Sequence, residues 1–194
     1  MNSTETITYA SIVVIAVSLF FIGTELTGFA TTNDTGVVNV TINSSAEIQF
    51  TTAFLDFGSG AVTPGETATL DSETDAETYW SGAGTNGELI LENIGNTNVT
   101  LQLQTDKSAA AFLGGSSGQV FQAKVADQSG NTGACTGTNT FSSYADITTT
   151  LQDACGTSFG YAAAADEIII DFYMEIPDDT TGAKTITINA VGTY

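Results

Sequence analysis

The stretch ELILENIGNTNVTLQLQT, residues Glu88–Thr105, decides the fold class. Apolar and polar side chains alternate in both of its halves, over Leu89–Leu91 and over Val99–Leu103. An alternation with a period of two is typical of strands that bury one face. Gly95-Asn96 lies between the halves and is a turn signal, so we predict a β-hairpin here.

Strand patterns continue on both sides of this stretch. The near-continuous apolar run at Asp166–Ile176 is too short to span a membrane and predicts a central strand. Alternation or β-rich composition predicts further strands at Val37–Asn43, Ala46–Gly58, Thr67–Leu70, Gln119–Asp127 and Lys184–Tyr194. Residues 128–160 are rich in Gly, Thr and Ser and are interpreted as loops. About eight to ten strands predict an all-β fold, an Ig-like or jelly-roll β-sandwich preceded by an N-terminal hydrophobic helix.

The chain divides into three predicted regions. Residues 1–30 form a hydrophobic leader, 31–45 a polar linker with a candidate donor strand, and 46–194 the β-sandwich domain. The leader has no charge from Tyr9 to Gly23, and two interpretations stay open: a signal peptide cleaved before Thr31, or a retained membrane or assembly helix. Both interpretations export the rest of the chain and bring its N-terminal segment to the membrane at least transiently.

Composition excludes several classes of function. The chain has 194 residues, with 22 acidic side chains, three lysines or arginines and no histidine, which gives a net charge of -19. A nucleic-acid binder needs many cations to neutralise phosphates, so nucleic acid is excluded as a partner. Histidine-based catalysis and zinc sites with imidazole ligands are excluded too, and we expect no enzyme. A hydrophobic content of 42% also distinguishes the chain from a disordered acidic tail.

Calcium is the one cofactor that this composition leaves open, because calcium binds carboxylate and carbonyl oxygens. The candidate ligands are Asp71, Glu73, Asp75 and Glu77. Their spacing of two would put them on one face of a strand, and in a loop they could converge on a cation. The alternative is a solvated acidic surface.

Two further signals agree with an extracellular or cell-surface location. Cys135 and Cys155 are the two cysteines, and in an oxidising compartment we expect one disulfide between them, with two buried thiols as the alternative. N-x-Ser/Thr triplets, which are glycan acceptors outside the cytoplasm, begin at Asn33, Asn39, Asn43 and Asn98. Lys124 falls inside a predicted strand; we expect it to point to solvent rather than to form an isopeptide cross-link with an Asn or Asp.

Several of these segments together resemble the camelysin/TasA family of biofilm-fibre subunits. The resemblance rests on the turn Val62–Glu66, the strand Leu89–Glu92, the turn Asn93–Asn96 and the strand beginning at Val99. The chain also resembles archaeal surface β-sandwiches, the globular domains of pilins and archaellins among them. The family resemblance implies a non-enzymatic subunit of an extracellular filament that donates an N-terminal strand to the next copy of itself. The donor residues would be Val37, Val38, Val40 and Ile42.

Two other functions remain open from the sequence. One is a membrane-anchored or S-layer-associated surface glycoprotein that works as an adhesion module. The other is a pilin- or archaellin-like subunit whose hydrophobic helix packs in a filament core. The sequence MNSTETIT before the hydrophobic stretch lacks the basic, Gly-ended cleavage motif of pilins, which places that alternative behind strand donation.

Overall fold

A computed structural model describes residues 39–82 and 87–194, and these residues confirm the all-β class. The predicted N-terminal helix, together with Asn33, Val37 and Val38, lies outside the described residues. In the described part of the chain, no helix is long and apolar enough to cross a membrane. Residues Asn43–Tyr194 group into one compact unit.

Ten strands and one short helix make up the described fold. In chain order they are β1 (Ile48–Thr52), β2 (Thr67–Asp71), β3 (Ala76–Thr78), β4 (Leu89–Asn93), β5 (Val99–Thr105), α1 (Ala109–Leu113), β6 (Val120–Asp127), β7 (Ala145–Asp146), β8 (Gln152–Phe159), β9 (Glu167–Pro177) and β10 (Ile188–Thr193). All pairs are antiparallel, and they form a seven-stranded and a three-stranded sheet.

Strand β9 is the centre of the large sheet, as its continuous apolar run predicts. One of its edges pairs with β4 over Glu167–Ile170 and then with β2 over Tyr173–Pro177, while the other edge pairs with β6 over Ile168–Glu175. Strands β1, β3 and β7 lie outside β4, β2 and β6. Alternate β9 side chains enter the core, namely Ile168, Ile170, Phe172, Met174 and Ile176. Each such burial contributes roughly 1.5–3 kcal/mol.

The predicted β-hairpin at Gly95-Asn96 is wrong, because β4 and β5 belong to different sheets. Strands β1 and β9 occupy both edges of β4, and β10 and β8 occupy both edges of β5. The two strands bury alternate residues from opposite sides of the core, and residues 94–98 cross from one sheet to the other. We call this crossing the 94–98 arch.

Asn93, at the end of β4, holds the arch. Its buried side chain donates to the carbonyl oxygens of Thr97 (3.0 Å) and Phe159 (3.1 Å) and accepts from the Gly95 N–H (3.1 Å). Alternation of apolar residues cannot distinguish a hairpin from an arch, since both need one buried face on each strand.

The short helix α1 follows from local sequence. Ser108 caps its N-terminus by accepting from the Ala111 N–H, three alanines follow, and Gly114 ends it with a positive φ of 73°. The helix buries Phe112 and Leu113. Phe112 packs edge-to-face on Phe121 with ring centroids 5.1 Å apart.

Strand β8 lies inside residues 128–160, which the sequence interprets as loops, so that interpretation is wrong for Gln152–Phe159. The segment QDACGTSF has a single aromatic and no run of β-branched residues, which explains the missing signal. Its pairing with β5 is irregular around Gly156, which has a φ of 52°.

Candidate functional site

Sheet edges are the places where another strand can add to this fold, and the described residues contain five of them. Three are protected by known devices. Strands β3 and β7 have only three and two residues, and each contains an acid, Glu77 or Asp146. A loop covers the third edge, that of β8.

The covering loop is tied to β8 by backbone hydrogen bonds and by the disulfide. The Thr136 N–H donates to Ser158 O (3.1 Å) and the Thr140 N–H to Asp153 O (2.9 Å). Cys135 on the loop is bonded to Cys155 on β8, with their Cα atoms 4.9 Å apart, which confirms the predicted disulfide. The disulfide therefore closes one edge of the small sheet.

Strands β1 and β10 have open outer edges. Within residues 39–82 and 87–194, no backbone hydrogen bond reaches either outer edge. The two strands lie side by side across the sandwich, since a Cβ added at Gly192 would lie 3.2 Å from Ile48 Cγ2. Their sequences, IQFTT and INAVGT, contain no charged residue, in a chain with 22 acids. We call β1 and β10 together the open edge.

The core is incompletely covered at the open edge. Ile48, Phe50, Ile188 and Ala190 pack against the core but stay half-exposed, whereas the alternate residues of the central strand β5 are buried. The solvent-exposed fraction of each of these side chains would decrease if a further strand added here. The open edge thus combines free main-chain groups with partly exposed apolar side chains, the two features that β-augmentation uses.

The described part of the candidate donor segment, Asn39–Ile42, forms no strand. Val40 and Ile42 are 76% and 80% exposed. Just after it, Asn96 of the arch accepts from the Ser45 N–H (2.6 Å) and donates to Asn43 O (2.9 Å), which fixes the start of the sandwich. The described part of the segment thus offers apolar side chains at alternate positions and belongs to no strand.

The four predicted calcium ligands lie around the β2–β3 hairpin. Asp71 ends β2, Glu73 and Asp75 occupy the turn, and Glu77 on β3 pairs opposite Leu70. In the described residues, no group of three or more acidic or cysteine side chains could hold a metal ion. The hairpin therefore places these carboxylates at a strand end, in a turn and on the following strand, rather than along one straight strand.

Asp71 and Glu73 instead make contacts with neighbouring side chains. Asp71 accepts hydrogen bonds from the hydroxyls of Tyr144 (2.5 Å) and Thr74 (2.9 Å). Burial raises the pKa of Asp71, but these bonds and that from the Glu73 N–H outweigh it and hold the pKa below its usual value. Glu73 forms an ion pair with Lys124, whose Nζ lies 5.9 Å from the centroid of the Tyr144 ring.

Asp171 is a functional candidate that the sequence analysis missed. It lies on the outer face of β9 where β2 gives way to β4, and it is only 2% exposed. The Ser72 hydroxyl donates to it (3.3 Å). Burial, with smaller contributions from Glu73 and Glu88, raises the pKa of Asp171 to about 6. An acid within an apolar run is the signal that could have identified it.

Three of the four predicted glycan acceptors are described, and all three are exposed: Asn39, Asn43 and Asn98. Asn98 donates to the Ser158 hydroxyl at 3.3 Å. Their exposure is compatible with modification and does not test it.

Compared with known proteins, the chain matches no family model, no curated protein and no solved structure.

Proposed function

We propose that this chain is a non-enzymatic structural subunit of an extracellular filament. Val37–Ile42 of one copy adds as a strand to the open edge of the next. The observation that carries the proposal is that one chain contains both an uncharged, unprotected sheet edge and an uncharged segment with a β-type sequence. Within this proposal the sandwich is Ig-like or jelly-roll in topology and follows an N-terminal hydrophobic helix.

Edge protection supports the proposal. Soluble proteins protect sheet edges with charges, proline, short strands or covering loops, because a bare edge templates association. Among the described residues, these devices are present at β3, β7 and β8 and none is seen at β1 or β10. The chain has 22 acids, and none of them lies in β1 or β10.

The disulfide and the exposed Asn-x-Ser/Thr triplets support a location at the cell surface. The same triplets favour the second candidate, a membrane-anchored or S-layer-associated surface glycoprotein that works without polymerising. An intact-mass measurement of native material tests two features of this second candidate, because the mass shows whether the leader is retained and whether glycans are attached.

The test compares two doubly substituted chains of equal charge. Val40→Asp with Ile42→Asp changes the face that would enter the acceptor, while Asn39→Asp with Thr41→Asp changes the opposite face. By electron microscopy and size-exclusion chromatography, we expect the wild type and the second variant to polymerise and the first to stay monomeric. A peptide of residues 37–43 should then bind the monomeric variant and slow hydrogen exchange in β1 or β10. A wild-type chain that is monomeric at every salt and calcium concentration would sink the proposal.

A further inference from the structure

The outer face of the large sheet brings an amine and a carboxyl group together at Lys124 and Asp171. The two residues are direct partners on the adjacent strands β6 and β9, so their side chains share one face. Directly opposed Cβ atoms on antiparallel strands are about 5 Å apart. The four methylene groups of lysine are long enough to cover that separation.

The surroundings differ from those of an ordinary surface lysine. The Lys124 side chain is 25% exposed, and the Tyr144 ring lies beside it. Asp171 is buried beneath the β2–β3 turn, where Ser72 hydrogen-bonds both its carboxylate and the Phe172 N–H. Burial favours the neutral carboxyl group, which is the form that an amine can attack.

A third group completes the arrangement. The Glu73 carboxylate contacts Lys124 Nζ and lies close enough to Asp171 to raise its pKa. In the present conformation Nζ contacts Glu73, and the Lys124 charge is also near enough to Asp171 to act on its pKa. Glu73 can therefore carry protons between the amine and the carboxyl group.

We propose that Lys124 and Asp171 condense to an intramolecular isopeptide bond, with Glu73 as the proton carrier. Glu73 takes one proton from the Lys124 ammonium and releases it to solvent. The Nζ lone pair then attacks Asp171 Cγ, so that a C–N bond forms and a C–O bond breaks. A second Nζ proton passes through Glu73 to the leaving hydroxyl, which departs as water, and the third stays as the amide N–H.

The lysine content of the chain makes the test direct. The chain has three lysines or arginines in all, namely Lys107, Lys124 and Lys184. Trypsin does not cleave after an acylated lysine. A reduced, denatured cross-linked chain is therefore cut after Lys107 and Lys184 and stays intact at Lys124, and its 108–184 fragment is lighter by one water molecule. Fragments ending at Lys124, with the full sequence mass, would overturn the proposal.

Single substitutions test the isopeptide bond and the role of Glu73 separately. K124M and D171A should both restore the full mass, whereas K184M, a matched loss of one lysine, should keep the deficit of one water. The wild-type digest decides the bond even where D171A does not fold. We expect E73Q to accumulate at full mass, and an E73Q chain that cross-links as completely as the wild type would overturn the role of Glu73.

Discussion

The 94–98 arch is tested most directly by Asn93→Ala. The side chain of Asn93 is 1% exposed and makes three hydrogen bonds that hold the arch to β4 and to β8. Each buried hydrogen bond contributes about 1 kcal/mol net, so the substitution should lower the free energy of unfolding by about 3 kcal/mol. For a domain of this size the melting temperature should fall by roughly 6–12 °C.

Urea unfolding followed by tryptophan fluorescence measures the difference, with Asn98→Ala as the control on the same arch. The single hydrogen bond of Asn98 is exposed, so its loss should change the free energy of unfolding by less than about 0.5 kcal/mol. If β4 and β5 formed a hairpin instead, substitutions in the turn would lower the free energy of unfolding and Asn93→Ala would not. A loss below about 1 kcal/mol for Asn93→Ala, or one no larger than that for Asn98→Ala, would refute the arch.

Three further outcomes are expected. Replacing Cys135 and Cys155 by serine should cost about 3 kcal/mol, because the disulfide closes a loop with a sequence separation of 20, and calorimetry with and without reductant should show it. Tyr144→Phe removes a hydrogen bond from Asp71, whose pKa is depressed in the folded state. The loss of about 1–2 kcal/mol should therefore be present at pH 7 and disappear as the pH falls through the depressed pKa of Asp71, as urea titrations at several pH values can show. Raising the NaCl concentration should raise the melting temperature, since a net charge of -19 repels itself in the folded state, and a flat salt profile would contradict this.

Fold class was predictable because period-two patterns depend only on which face each strand buries. The near-continuous apolar run at Asp166–Ile176 correctly predicted the central strand, which has neighbours along both edges and buries seven of its eleven residues. The partner of each strand was not predictable in the same way. The apolar residues of Leu89–Leu91 and Val99–Leu103 satisfy a hairpin and an arch equally, and the difference depends on the side-chain bonds of Asn93.

For the candidate sites too, the local sequence pattern does not predict which distant residues come together. Acids spaced by two at Asp71–Glu77 fit either one face of a strand or a loop, and the pattern does not distinguish the two; in the structure Asp71 ends β2, Glu73 and Asp75 lie in the turn and Glu77 lies on β3. The acid within the apolar run marks Asp171 in the sequence, but its partner does not follow from the local pattern, because Ser72 lies 99 positions away. The disulfide was predictable because two cysteines have one pairing available.

The placement of charge connects the fold to the proposed assembly. All acids except Glu5, Glu25 and Asp34 lie in the described part of the chain, yet none falls within β1 or β10. Like-charged subunits repel wherever broad surfaces meet, so contacts through those surfaces are disfavoured unless salt or divalent ions screen them. Strand addition avoids this cost, because its energy comes from main-chain hydrogen bonds and apolar side chains along an uncharged edge. A net charge of -19 thus favours an end-to-end filament over lateral aggregation.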